Sequence, residues 1–411
     1  MTKHLLILRS VLLLIACSGL FVSSAVAQSL SLEEHFQRLE DEVHTLRKEN
    51  QQLRSELGLE GRAGQTIVKP AGREPTLSIG GLLQTQADFG DKGDARFTSG
   101  NDRFYLRRAR INLQGKFLED FDFRLEGEFA GSLAEATGVR AQLTDGYLNW
   151  NRYSFANIRV GQFKTPFGYE QLASDPKLFS IERTLVNDRL TVGRQIGVQV
   201  GGDVFDKRFS YATGIFNGTG VNTSANDNDK FLWAGRVGAV AWEGKWLGQD
   251  TRWTVGADAL TSNDANLPGQ PTEFGFDLVP GGTKDNIFAG RRKAGGLDTQ
   301  LHVGRFDFWA EYLHERFKPT DRIPSRSFDT DGWYVQAAYF MIPKELQAVI
   351  KYDAFDPNVN ISTNSTRTWT LGTNYFFKGD DIKLQLNYLL SDIDGQTAKN
   401  KKLILRLQTL F

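Results

Sequence analysis

Sixteen segments with alternating apolar and polar residues fill the chain from about residue 76 to its last residue, 411. A period of two is typical of β-strands that have one apolar and one polar face. Several of the segments have the 9–11 residues that cross a bilayer at a tilt. The predicted strands are 76–89, 103–117, 121–131, 139–152, 155–163, 196–205, 208–218, 231–243, 252–262, 295–305, 306–317, 332–342, 345–357, 366–379, 381–392 and 399–411.

The connections between these segments alternate between long and short. Short ones include 118–120 and 206–207, and long ones include 164–195 and 263–294. A soluble β-sandwich has no reason to sort its loops in this way, whereas a transmembrane barrel has short turns at one end and long loops at the other. The pattern therefore predicts an all-β transmembrane barrel of about sixteen antiparallel strands, with a secreted soluble β-protein as the alternative.

The two faces of each segment predict which side meets water. In 381–392, Ile382, Leu384 and Leu386 alternate with Lys383 and Gln385. In a barrel within lipid the apolar face points outward and the polar face lines the lumen. Sixteen strands enclose a space too wide for side chains to fill, so the polar face is expected to contact water.

The N-terminus has the features of a secretory signal over residues 1–27. Lys3 and Arg9 precede the mainly apolar stretch 11–22, and the small residues of 25–27 form a cleavage site. A membrane anchor and lipidation at Cys17 are the alternatives. Removal of this segment leaves 47 basic residues (49 minus 2) against 49 acidic ones, which gives no indication of nucleic-acid binding. It also removes the single cysteine, so neither a disulfide nor a thiol nucleophile is expected.

Residues 28–57 contain a heptad repeat that predicts a short α-helical coiled coil in the periplasm. The seam positions are spaced alternately four and three residues apart, with polar and charged residues between them. An amphipathic helix that packs on its own domain is the alternative, and residues 58–75 are predicted to be a linker. The seam residues are Leu32, Phe36, Leu39, Val43, Leu46, Asn50, Leu53 and Leu57.

The last strand indicates how the barrel closes. Leu403, Leu405 and Leu407 lead in register to the terminal Phe411. This pattern looks like the signal by which the barrel-assembly machinery recognises its substrates. Closure requires this strand to pair with 76–89, because an open edge is not tolerated in lipid.

Basic residues on the lumen face are the candidate anion path. In 103–117 the alternation places Arg108, Arg110 and Lys116 toward the lumen and Arg107 toward lipid. Fixed positive charges in a narrow aqueous space favour anions. The alternative is that these charges only solvate the wall and pair with inward acids. The remaining inward bases are Arg124, Arg159, Arg236, Lys351, Lys383 and Arg406, and the inward acids are Glu126, Glu128, Asp258, Asp307, Glu311 and Asp353.

The long connection 164–195 is the candidate constriction loop. A connection of this length within a compact domain is usually functional. It either folds into the lumen and narrows the pore or forms an external flap. Its basic residues are Lys164, Lys177, Arg183, Arg189 and Arg194.

Two motifs carry a family resemblance. Arg-Arg-Ala-Arg at 107–110, continued by Gly-Lys-Phe at 115–117, and Gly-Gln-Phe-Lys-Thr-Pro-Phe-Gly at 161–168 resemble the phosphate-selective porin O and P family over roughly residues 76–411. The resemblance implies a sixteen-stranded homotrimeric porin of the Gram-negative outer membrane, whose third external loop folds into the channel. Because inward acids are about as frequent as inward bases, we expect a general or weakly anion-preferring pore for small hydrophilic solutes.

An enzyme and an adhesin are the rival functions. The sequence contains no Gly-x-Ser-x-Gly elbow, His-Glu-x-x-His pair or cysteine cluster. Trimeric adhesins have long stalks, whereas here four heptads precede a complete barrel. We therefore expect a channel without catalytic residues, metal or cofactor, whose partners are lipid, small solutes and other copies of the chain.

Overall fold

The computed structural model describes residues 37–38, 41–45, 48–49, 66–68, 76–94, 96–97, 102–131, 141–265, 289–320, 327–396 and 400–411. The chain divides into two compact units, Met1–Glu60 and Gly61–Phe411. Among the described residues, no helix combines the length and the apolar character needed to cross a bilayer.

Sixteen long strands form the second unit. Their alternating apolar and polar residues suit a sheet with one face in lipid and the other in water. The strands are β1 (Thr76–Gly90), β2 (Arg103–Phe117), β3 (Phe121–Glu128), β4 (Gln142–Tyr153), β5 (Ala156–Lys164), β6 (Arg194–Val204), β7 (Phe209–Phe216), β8 (Leu232–Trp246), β9 (Gln249–Asp264), β10 (Gly290–Val303), β11 (Phe306–Pro319), β12 (Phe328–Ile342), β13 (Leu346–Asp356), β14 (Thr366–Lys378), β15 (Ile382–Ile393) and β16 (Asn400–Leu410).

Each strand pairs antiparallel with its neighbours in the chain, and the last strand pairs with the first. Lys402 lies opposite Gly90 and Leu410 opposite Leu82, so β16 and β1 close the sheet. The terminal Phe411 exchanges backbone hydrogen bonds with Gly81 at 2.8 and 3.2 Å. The predicted closed antiparallel barrel of sixteen strands is therefore confirmed. A three-residue strand, Thr66–Val68, pairs with residues 77–79 of β1 and lies within the predicted linker.

The connections alternate in length as the sequence predicted. Short turns at 118–120, 154–155, 205–208, 247–248, 304–305, 343–345 and 379–381 follow the even-numbered strands, and longer segments follow the odd-numbered ones. The clearest boundary error is between β8 and β9, which extend to a two-residue turn. Leu247 and Gly248 both have positive φ, 50° and 75°, which suits a tight hairpin. The segment between β9 and β10 is also shorter than predicted, at 265–289, because β9 ends later and β10 begins earlier than the predicted strands.

The predicted orientation of the two faces is also confirmed. On β15, Leu386 is 43 % exposed on the outer surface, whereas Lys383 and Gln385 are buried inside the barrel. On β14, Trp369 and Leu371 also face outward. Apolar residues thus cover the outside, and polar residues line the lumen.

The first unit is described at only a few positions. Residues 37–38, 41–45 and 48–49 are helical, and Val43 is exposed. The other seven predicted seam residues and the predicted signal, residues 1–27, lie outside the described residues.

A pair of single-cysteine variants tests the orientation. Gln114 accepts a hydrogen bond from Arg124 in the lumen, while Leu125 lies 48 % exposed on the outer face. In a Cys17→Ser background we expect a membrane-impermeant thiol reagent to label Gln114→Cys in intact membranes but not Leu125→Cys, because the reagent enters the lumen and not the lipid. Labelling in the opposite order would show that the barrel is inverted.

Candidate functional site

The segment between β5 and β6, residues 165–193, lies inside the barrel; it is called the inner loop below. It contains two short helices, α1 (Tyr169–Leu172) and α2 (Leu185–Leu190), and a 3₁₀ turn, Asp175–Lys177. Thr184 caps α2, since its side chain accepts a hydrogen bond from the Asn187 amide at 3.1 Å.

The motif at 161–168 directs the chain from the wall into the lumen. Gly161 has φ 129°, and a Cβ there would lie 2.2 Å from the Gly146 carbonyl oxygen, so only glycine fits. Gly168, with φ 82°, precedes α1. Lys164 donates hydrogen bonds from Nζ to the carbonyls of Gln171 and Ala173 at 2.6 and 3.1 Å. Lys164 therefore holds the end of α1.

An apolar cluster inside the barrel packs the inner loop against the wall. Phe167, Leu185 and Val186 from the loop contact wall residues such as Phe216 and Phe317. All are almost fully buried. Burial of apolar surface stabilises the packed state by about 25 cal/mol per Å², so this cluster favours the loop position against the wall.

A β-bulge places Arg107 on the opposite side from the one predicted. The register between β1 and β2 shifts between Gln84 and Thr85, which leaves Arg107 as the extra residue. Its guanidinium turns inward and binds Glu182 of the inner loop through two hydrogen bonds, Nε–Oε1 2.9 Å and Nη2–Oε2 3.0 Å. The prediction that Arg107 faces lipid is wrong, because the bulge changes the alternation locally.

Glu182 is held by a second wall guanidinium. Arg406 of β16 binds the same carboxylate and the Ile181 carbonyl. Burial alone would raise the pKa of Glu182, but Arg107 and Arg406 outweigh it and hold that pKa well below its usual range.

Asp175 is the other acidic anchor of the inner loop. Arg110 Nη1 lies 2.6 Å and Arg108 Nη2 3.2 Å from its carboxylate, and Arg183 of the loop also binds it. Burial would raise the pKa of Asp175, but the three guanidinium groups together hold it well below its usual range. Arg110 also pairs with Glu128 at 2.6 Å. The predicted ladder of Arg108 and Arg110 is thus neutralised by carboxylates.

Two buried wall lysines bind backbone carbonyls of the inner loop. Lys351 Nζ donates to Ser180 Oγ and to the Glu182 carbonyl, both at 2.8 Å. Lys383 Nζ donates to the Pro176 carbonyl at 2.5 Å and lies 3.1 Å from Asp380. These contacts satisfy loop carbonyls that have no strand or helix partner.

The remaining predicted cations have three kinds of surroundings. Arg236 pairs with Asp258 and Asp298 at 2.8 and 2.6 Å and lies over the Tyr169 ring. Of the other cations predicted to face the lumen or to lie in the loop, two pair with acids, one is buried and two are exposed. Arg194 pairs with Asp145 at 2.8 Å, Arg124 pairs with Glu126, Arg189 is buried, and Lys116 and Lys177 are exposed.

Arg159 differs from the other inward arginines. Its guanidinium lies 4.5 Å from the ring centroid of Tyr147 and 5.4 Å from that of Phe163. Within the described residues it has no carboxylate at salt-bridge distance, and its Nε is buried without a hydrogen-bond partner. Arg159 therefore keeps a positive charge in the lumen that no described carboxylate pairs with at salt-bridge distance.

Two cavities lie between the inner loop and the wall. The first, of about 400 Å³, is lined by five cations, Arg110, Arg124, Arg159, Lys164 and Arg194, and three acids, Glu126, Asp145 and Asp175. The second, of about 500 Å³, is lined by four cations, Lys207, Arg208, Arg236 and Arg252, and one acid, Asp203. Leu172 of the loop borders both cavities. The side chains that line the two cavities are therefore basic on balance, although Arg236 pairs with Asp258 and Asp298, and Arg252 with Glu243, outside that lining.

Several of these lumen residues were missed in the sequence. Arg252 lies six residues before Asp258 on the same predicted strand, so the alternation that places Asp258 in the lumen also places Arg252 there. Arg208 is the first residue of the predicted strand 208–218, where alternation sends it inward, opposite to the exposed Ile215, although the structure places it in the short turn before β7. Arg96, in the segment after β1, donates a hydrogen bond to the Arg183 carbonyl and binds Asp94, and no periodic pattern covers it.

An apolar outer surface, a polar lumen and an infolded loop define a channel-forming barrel of the outer membrane. Residues 81–411 match the family described as phosphate-selective porin O and P. The chain belongs to this family, and it is an outer-membrane porin. No curated protein matches the sequence.

Solved structures with the same fold are distant in sequence. The outer-membrane protein OmpT of Vibrio cholerae has a TM-score of 0.56 at 12 % identity, covering 84 % of this chain and 100 % of that one. The outer-membrane channel DcaP of Acinetobacter baumannii has a TM-score of 0.55 at 14 % identity, covering 84 % of this chain and 99 % of that one. The anion-selective porin from Comamonas acidovorans has a TM-score of 0.55 at 15 % identity, covering 82 % of this chain and 100 % of that one.

Replacement of Glu182 tests how the inner loop is held. Glu182→Gln leaves the guanidinium groups of Arg107 and Arg406 without their carboxylate, and breaking a buried pair typically costs about 3–5 kcal/mol. We expect a lower free energy of unfolding in urea and noisier single-channel currents. Glu243→Gln is the matched control, because Glu243 and Arg252 form a pair of half-exposed side chains at 2.7 Å. Equal effects of the two substitutions would contradict the anchoring role.

The ionisation of Glu182 is checked by the pH dependence of the difference in unfolding free energy between the wild type and Glu182→Gln. Because its pKa is lowered on folding, its stabilisation is complete above the unfolded value of about 4.3 and is lost as the pH falls toward the folded pKa. The difference in unfolding free energy between the wild type and Glu182→Gln should be constant from about pH 7 to 5 and should shrink below about pH 4. A difference that already disappears at about pH 6 would show that the pKa of Glu182 is not lowered.

Proposed function

We propose that this porin is a passive channel with a moderate preference for small anions and no dedicated phosphate site. The observation that carries the proposal is Arg159, a cation that lines the first cavity and has no carboxylate at salt-bridge distance among the described residues. Fixed positive charge in a confined aqueous path lowers the energy of anions and raises that of cations. The porin from Comamonas acidovorans, which has the same fold, is anion-selective, and this agrees with the proposal.

Arg159 is the proposed principal anion contact. Its guanidinium is exposed to the first cavity and has no acid to neutralise it among the described residues. The face of Tyr147 holds the group in place through a cation–π contact without neutralising its charge. Arg159 can therefore attract a passing anion without first giving up another partner.

Dedicated phosphate selectivity has less support. Arg108 and Arg110 bind Asp175, while Lys351 and Lys383 bind loop carbonyls. A multiply charged anion would need several free cations close together. We therefore propose that these four side chains hold the inner loop, which narrows the path and brings solutes close to Arg159.

The assembly of the porin is proposed on separate grounds. The heptad of residues 32–57 would join chains as a periplasmic coiled coil, and a homotrimer agrees with the trimer form of Vibrio cholerae OmpT. The terminal Phe411 would serve recognition by the barrel-assembly machinery. Removal of residues 1–27 as a signal belongs to the same proposal.

Planar-bilayer recording of Arg159→Gln tests the anion preference. In a salt gradient we expect the reversal potential to move toward the cation-selective side, with the anion-to-cation permeability ratio falling by up to about 5-fold. This is the effect of about 1 kcal/mol of Coulomb energy between charges in contact in water. Inorganic phosphate should block chloride current only weakly.

Arg152→Gln is the matched control. Arg152 is exposed near the end of the same β4–β5 hairpin and lies 3.6 Å from Asp120, away from both cavities. It should leave the reversal potential unchanged. A wild-type channel without anion preference, or a shift of the same size in both variants, would overturn the proposal.

A further inference from the structure

Four cations form a compact block on the outer surface of β10 and β11. Arg291 lies directly opposite Lys318, and Lys293 lies directly opposite Arg316. All four side chains are exposed. Side chains directly opposite one another in an antiparallel pair have Cβ atoms about 5 Å apart, and like charges at that spacing are destabilising.

Little within the described part of the chain compensates for this charge. Only Arg316 has an acid nearby, with its Nε 3.7 Å from Asp329 of β12. The adjacent Asp331 is engaged by His314 at 2.6 Å and by Tyr312 at 2.9 Å. Repulsion between four neighbouring cations is tolerated most easily when an external anion neutralises them.

The position of the block along the barrel axis indicates which anion can reach it. The block lies at the loop end of the barrel, at the start of β10 and the end of β11, next to the longer connections. Two positions further along the same face, past Gly295 and His314, Leu297 lies opposite Tyr312, and Trp333 follows on β12. Aromatic residues mark the boundary between hydrocarbon and headgroups, so the cations lie at headgroup level.

We propose that this block binds the phosphate groups of a phosphorylated lipid of the outer leaflet. Its exposed guanidinium and ammonium groups donate charge-assisted hydrogen bonds to phosphate oxygens, and the acyl chains of the lipid lie along the apolar surface near Leu297. The block points away from the lumen, so this role is independent of the anion path at Arg159.

Binding of lipid A to the detergent-solubilised full chain tests the proposal. The variant carries Arg291→Gln, Lys293→Gln, Arg316→Gln and Lys318→Gln. Each cation near an anionic lipid surface contributes about 5-fold in affinity, so the four together should weaken binding by roughly 100-fold or more. Dephosphorylated lipid A should bind the wild type as weakly as lipid A binds the variant.

A control with the same charge change isolates the position. Arg152→Gln, Lys245→Gln, Lys344→Gln and Lys378→Gln remove four exposed cations near the short turns at the other end of the barrel. This control should bind lipid A like the wild type. If the quadruple variant does not fold, the pairs Arg291→Gln with Lys318→Gln and Lys293→Gln with Arg316→Gln should each weaken binding by about 10-fold or more.

Three outcomes would overturn the proposal. The first is wild-type affinity for lipid A in the folded variant, and the second is equal binding of phosphorylated and dephosphorylated lipid by the wild type. The third is a change in the mass of the oligomer on loss of the block, which would assign this surface to a contact between copies of the chain.

Discussion

The need to pair every backbone amide and carbonyl within lipid determines the architecture of this protein. Water is absent from the hydrocarbon region, so an unpaired strand edge there would cost several kcal/mol per group. The chain meets this constraint by joining β16 to β1, and Phe411 continues the pairing to Gly81. Closure with sixteen strands fixes a wide circumference, and the lumen is then too wide for wall side chains to fill. The polar lumen and the inner loop both follow from that width.

The inner loop brings its own polar backbone into this lumen, and the wall satisfies it. Glu311 accepts hydrogen bonds from the amides of Tyr169 and Glu170 at 2.6 and 3.2 Å, while Lys351 and Lys383 bind loop carbonyls. Many of the wall charges therefore hold the loop or pair with one another. A count of inward charges consequently overstates the charge that a solute meets.

Local periodicity predicted the parts of the fold that depend on one strand at a time. The number of strands, their faces, the closing pair and the parity of the loops all follow from alternation and turn length. Arg107 was predicted on the wrong face because a bulge inserts one residue into β2, and the sequence of β2 gives no sign of that bulge. The bond between Arg107 and Glu182 joins positions 75 residues apart, and no local pattern specifies such a partner. The anchoring of the loop therefore required the three-dimensional structure.

Runs of basic residues in a barrel strand act on two separate environments. In β10, Arg292 points inward, where it is buried and pairs with Asp264 at 2.5 Å and Glu315 at 3.3 Å. Its neighbours Arg291 and Lys293 point outward to the membrane surface. Inside, a cation with little water needs an acid from the same chain, whereas outside it can be neutralised by lipid phosphates. The same basic run thus stabilises the wall on one side and offers a binding surface on the other.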